Sequence, residues 1–152
     1  MEEEFHNHMR IPWHDYTRKS IGRPITEASL SEKASIIGRT GIMLLSCGTG
    51  AWRVRSSMNT LARELGITCT ADIGLLSIEY TCIDGGNCYT ESLCLFNTGV
   101  NTSKLYRMEL FVNKFCKNCK KMSGDELHTL LDQIHEIHGF YSPPFLGLAA
   151  AV

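Results

Sequence analysis

Gly48-Thr49-Gly50 runs into Ala51-Trp52-Arg53-Val54-Arg55, which places a glycine turn at the start of an expected helix. Such a turn presents free backbone N–H groups and the partial positive charge of a helix start. Arg53 and Arg55 add planar fork donors suited to a carboxylate or a phosphate. Gly48, Gly50 and Arg53 are therefore a candidate site for a small anion. The plainer reading is a helix–helix turn with solvent-facing arginines, because the fuller glycine fingerprints of phosphate loops and dinucleotide folds are absent.

Cys116-Lys117-Asn118-Cys119 and His135-Glu136-Ile137-His138 supply two thiols and two imidazoles, enough for a tetrahedral zinc site. Cys116, Cys119, His135 and His138 form only a weak metal candidate. The histidines share a helix with its own apolar stripe, and the cysteines lie among lysines at a helix end. A third group is the row Ser77, Glu79, Thr81, Thr90 and Ser92 on one face of an expected hairpin. Glu79, Thr81 and Thr90 are candidates for contact with a polar ligand, against the alternative of a sheet face turned to water. Catalysis is harder to build. Cys47, Cys69 and six histidines offer nominal nucleophile–base pairs, yet no nucleophile elbow, HExxH or phosphate-loop lysine is present. No catalytic residue and no cofactor is assigned.

The elements that must position these groups are legible. Ser29-Leu-Ser-Glu32 is a capping box, in which the hydroxyl accepts the N–H three residues on and the glutamate reaches back. Leu30, Ala34, Ile37, Leu44 and Leu45 follow at helical spacing, and Gly48 stops that helix. Ala51, Val54, Met58, Leu61 and Leu65 make one face of a second helix, ended by Gly66. Three strands are expected at 67–72, 75–83 and 88–96, the last two joined by a Gly85-Gly86 turn with positive φ at both positions. That turn pairs Ile83 with Cys88 and Thr81 with Thr90. It puts Ile78, Tyr80 and Cys82 on one face, opposite Leu93, Glu91 and Tyr89. Asn101 caps a third helix with Leu105, Met108, Val112 and Phe115 inward. Ser123 caps a fourth, carrying Leu127, Leu130, Leu131, Ile134 and Ile137. The fold class is α+β, order ααβββαα, with helices packed on one face of an antiparallel three-stranded sheet. Residues 1–26 read as a tail, able to pack through Trp13 and Tyr16.

Composition bounds the function. The 152 residues are 43% hydrophobic and 20% charged, the balance of one globular domain. A net charge of -1 gives no positive field for nucleic acid. Seven cysteines, an odd number set in apolar segments, read as reduced thiols. The acidic start lacks the apolar core of a secretory signal, and no run of about 18–20 apolar residues is present to span a bilayer.

Several segments occur in a telling order: Gly48-Thr-Gly-Ala-Trp-Arg-Val54, Leu61-Ala-Arg-Glu-Leu-Gly-Ile67, Thr70-Ala-Asp-Ile-Gly74, Ser77-Ile-Glu-Tyr-Thr81, Gly99-Val-Asn-Thr-Ser-Lys-Leu105 and Tyr141-Ser-Pro143. In that order the chain resembles the soluble N-terminal domain of the threonine/serine exporter family, from about Ser29 onward. The resemblance implies a domain, here 27–141, on the cytoplasmic face of the inner (plasma) membrane. Its implied partners are membrane-embedded transporter helices and a small amino or organic acid, and a homo-oligomer is compatible with it. It also implies that 142–152 begin a truncated transmembrane helix, leaving the chain unable to transport alone. Many relatives carry an acidic residue where this chain has Arg55-Ser-Ser57, so no ion-coupling role is carried over to that position. The CxxC lies outside the family pattern. The competing expectations are a free-standing ligand- or metal-binding regulatory module and, further off, a hydrolase.

Overall fold

The computed structural model describes residues 10–96 and 98–137. A short helix α1 (Trp13–Tyr16) precedes two long ones, α2 (Leu30–Ser46) and α3 (Ala51–Glu64). Strands β1 (Thr68–Ile73), β2 (Ser77–Asp84) and β3 (Asn87–Cys94) follow, then α4 (Thr102–Asn118) and α5 (Gly124–His135). The sheet is antiparallel in the order β1-β2-β3, and α2 and α3 pack against it, with α4 and α5 beyond them. The expected α+β architecture is the one observed.

The local signals act as chemistry dictates. Ser29, Asn101 and Ser123 each accept the backbone N–H of the residue three positions on, satisfying one orphan donor per helix. Gly48 and Gly66 follow α2 and α3 with φ of 86° and 72°, a conformation that costs any other residue a Cβ clash. The hairpin pairs Ile83 with Cys88 and Thr81 with Thr90, the expected register. Two details differ. Only Gly85 has positive φ, 61°, so the turn follows the pattern in which the first central residue alone is left-handed. The Glu32 carboxylate does not return to its own cap; it accepts a hydrogen bond from Ser20.

Helix α2 departs most from a stripe. Every residue from Glu32 to Leu45 is buried, because the sheet covers one side and α5 and α3 cover the others. A helix enclosed all round must bury its polar residues with partners, and Arg39 at 5% exposure is the main case. The segment 11–27 is anchored on this core through Trp13 and Ile25. Trp13 is 5% exposed and Ile25 fully buried, the Ile25 N–H bonds Met122 O at 2.7 Å, and Pro24 bridges to Ser123.

Candidate functional site

Two places gather chemistry. The first is the corner between α2 and α3. The Cys47 carbonyl there accepts from Asn101 N at 3.4 Å, and the Leu45 carbonyl from Thr98 Oγ1 at 3.1 Å. Together with the β1–β2 loop these segments border an open cavity of about 430 Å³ lined by Gly48, Thr49, Gly50, Ala51, Leu75 and Thr98 among others. The first amides of any helix lack an intrahelical acceptor, and Gly50 at the start of α3 offers no side-chain cap to replace it. The Thr49 hydroxyl is buried beside them and has no hydrogen-bond partner among the described residues. A buried hydroxyl left unpaired costs about 1–3 kcal/mol. The corner is thus short of acceptors, which is what a carboxylate supplies.

Arg53 does not join this cavity. It reaches α4, with Nη1 3.5 Å from Glu109 Oε1, and its guanidinium lies 5.9 Å from the Trp52 ring centroid. Glu79 and Thr90 stand exposed on the outer face of the sheet, and Thr81 shares a 2.8 Å hydroxyl–hydroxyl bond with Thr90. The structure therefore brings together Gly48 and Gly50 but leaves Glu79, Thr81 and Thr90 on the side of the sheet away from the helices.

The second place is a polar cluster between α1, α2 and α5 that the sequence reading did not single out. His14 Nδ1 lies 2.7 Å from Asp125 and Nε2 2.6 Å from Asp132. Carboxylates only accept, so both ring nitrogens carry protons and His14 is an imidazolium. Burial lowers its pKa, but the bonds to Asp132 and Asp125 outweigh that and raise it. Asp132 also accepts from Arg39 Nη2 at 2.5 Å, and these bonds hold its carboxyl below the usual range despite burial. Arg39 Nη1 donates to the His128 carbonyl at 3.1 Å and to His128 Nδ1 at 3.2 Å. A pocket of about 260 Å³ borders the cluster, lined by Trp13, His14, Arg39, Asp132 and His135 among others.

The cluster contains a serine–histidine contact, Ser35 Oγ to His128 Nε2 at 3.0 Å. It is not an activated nucleophile. Arg39 can only donate, so Nδ1 of His128 accepts and Nε2 holds the proton. The Ser35 hydroxyl in turn donates to Glu32 O at 2.6 Å. A general base needs its lone pair on the serine, and here the proton is there instead. Burial, then the neighbouring Arg39 charge, pushes the His128 pKa down to about 3.

A carboxylate on the apolar side of the sheet is the other unanticipated group. Glu91 accepts from the phenols of Tyr16 at 2.7 Å, Tyr80 at 3.0 Å and Tyr89 at 3.1 Å. Its signal was present: a glutamate placed opposite Tyr80 on an inward face requires donors.

The weak metal candidates stay apart. Cys116 and Cys119 lie at the C-terminal end of α4, next to the start of α5, whereas His135 ends α5, about 16 Å of helix away. His138 lies outside the described residues. Among the described residues no group of three or more His, Cys, Asp or Glu side chains is placed to hold a metal ion. Neither Cys116 nor Cys119 is in a disulfide.

Comparison with known families decides what kind of protein carries these sites. A family model described as "Putative threonine/serine exporter" matches residues 35–152. The chain belongs to the threonine/serine exporter family. No curated protein and no solved structure matches this exporter-family chain. The matched span takes in the Gly48–Gly50 corner, the sheet and both C-terminal helices, while α1 with His14 lies outside it. Among the described residues no helix is long and apolar enough to cross a membrane.

Proposed function

We propose that this chain is a water-exposed domain of a threonine/serine exporter-like transporter, on the cytoplasmic face of the membrane. It acts with membrane-embedded helices, is not transport-competent alone, and carries no catalytic step. In this reading the small amino or organic acid places its carboxylate at the Gly48–Gly50 corner. The amides of Ala51 and Trp52 and the Thr49 hydroxyl receive it, and the α3 dipole favours its charge. The observation that carries the reading is the coincidence of three features at one cavity: an uncapped helix start, a buried unpaired hydroxyl, and a volume near 430 Å³. Membership in an exporter family supports the solute class.

The test is an amide ¹H–¹⁵N titration of the chain with L-threonine, L-serine and succinate. The expected result is saturable shifts concentrated at Gly48 to Trp52. Shifts that are absent, or spread evenly over the surface, overturn the assignment.

A further inference from the structure

We infer that the end of the molecule bearing Trp52, Leu75, Phe96 and Val100 docks on the headgroup–acyl boundary of a lipid bilayer, turning the mouth of the Gly48–Gly50 cavity toward the membrane. The inference rests on the exporter reading above and adds an orientation and a surface to it.

These side chains are 71%, 91%, 60% and 82% exposed, respectively. Single exposed hydrophobes are ordinary; their convergence is not. Leu75 belongs to the β1–β2 loop, Phe96 and Val100 to the β3–α4 connection, and Trp52 to the first turn of α3. Leu75 is part of the Gly48–Gly50 cavity wall, and Trp52 and Val100 stand next to its glycines. Thr98 also lines it, a Cβ added at Gly48 would sit 3.4 Å from Val100 Cγ2, and one at Gly50 3.8 Å from Trp52 Cδ1. Leu95 N bonds Leu76 O at 2.8 Å, holding the two loops side by side.

The course of the chain selects lipid as the occupant. Asn101, beside Val100, donates its side-chain amide to Ile137 O at 3.5 Å. The last described residue therefore lies at this same end. Eight residues further on begins the apolar sequence Phe145-Leu-Gly-Leu-Ala-Ala-Ala-Val152. Eight residues reach at most about 26–29 Å, a span that keeps the rim within reach of that sequence. Tryptophan and phenylalanine suit the interfacial zone, and Arg53, beside the Trp52 ring, offers a cation to anionic headgroups. The outer sheet face with Glu79 and Thr90 remains in water.

The experiment mixes the full chain with vesicles of phosphatidylcholine, with and without phosphatidylglycerol. Trp13 is already buried, so a blue shift on binding reports Trp52. The expected result is that shift, quenching by lipids brominated near the headgroup, and a partition coefficient about tenfold lower for Leu75→Ser/Phe96→Ser. Ile21→Ser, exposed beside the segment that bridges to the start of α5, leaves partitioning unchanged. Vesicle binding with unaltered Trp52 emission means that the C-terminal sequence alone anchors the chain, and it overturns the inference. So does the absence of binding. Threonine-dependent shifts at Gly48 to Trp52 that persist in either case leave the solute site standing, which separates the two failures.

Discussion

Gly38 of α2 lies directly beneath the ring of Tyr80 of β2, so closely that a Cβ on Gly38 would fall 2.5 Å from Tyr80 Cζ. This close approach sets the distance between the central helix and the sheet. It also lets the Tyr80 hydroxyl reach Ala34 O at 3.1 Å and Glu91 at 3.0 Å. Gly38→Ala is expected to destabilise the fold by about 1–3 kcal/mol, since a methyl is forced into a packed ring. The loss is read from the urea midpoint, and Tyr80→Phe does not rescue it because Cζ remains. A neutral Gly38→Ala would mean that the helix–sheet spacing is set elsewhere.

The His14 imidazolium fastens α1 to α5 through Asp125 and Asp132, with Asp15, Arg39, His128 and His135 as the other titratable or charged groups around it. Its folded pKa is raised, so its stabilisation is complete below the unfolded value of about 6.5. It is lost as pH rises through the folded value. The Tm difference between the native chain and His14→Ala is therefore expected to be largest near pH 6 and to shrink toward pH 9. A difference that grows with pH would contradict the doubly protonated ring.

His128 has the opposite sense. Its folded pKa is about 3, so below about pH 6.5 the unfolded chain takes up a proton that the folded chain refuses. Stability falls by about 1.4 kcal/mol per pH unit from this one group between pH 6 and pH 4. His128→Asn, which cannot titrate, is expected to lack that slope whatever its stability at neutral pH. Denaturation midpoints across this range provide the check.

Thr49→Val keeps the volume of Thr49 but removes the unpaired hydroxyl. The unliganded variant is expected to be about 1 kcal/mol more stable than the native chain, because a buried orphan group is removed. It is also expected to lose the threonine-dependent amide shifts at Gly50 to Trp52. Greater stability with undiminished shifts would separate the hydroxyl from ligand binding.

Arg53 reads from the sequence as an anion donor, but it lies against Glu109, with both side chains half exposed. Exposed pairs of this kind contribute about 0–1 kcal/mol. Arg53→Ala is expected to leave the affinity for L-threonine unchanged within twofold and stability nearly so. A tenfold loss in the same titration would return Arg53 to the site.

Much of the fold was legible because its signals are local. A cap needs a hydroxyl and an amide three residues apart, as at Ser29, Asn101 and Ser123. A Gly-Gly turn fixes hairpin register, as at Asp84 and Asn87, and sorts each strand's residues between two faces. The ordered segments from Gly48 to Tyr141 gave the family. The Gly48–Gly50 turn was readable as a helix start, whereas the cavity beside it was not, because its walls come from three separate connections.

The sequence by itself determined the elements, their inward faces and the kinship with exporters, since each depends on neighbours a few residues apart or on order along the chain. Tertiary structure alone decided the partners of buried and half-buried polar groups: Asp125 and Asp132 for His14 across 111 and 118 residues, His128 for Arg39 across 89, and Glu91 for Tyr16 across 75. The physical reason is that a buried charge must find a partner wherever packing brings one. Periodicity shows which side of a helix faces inward, and only the crossing of helices shows what it meets there.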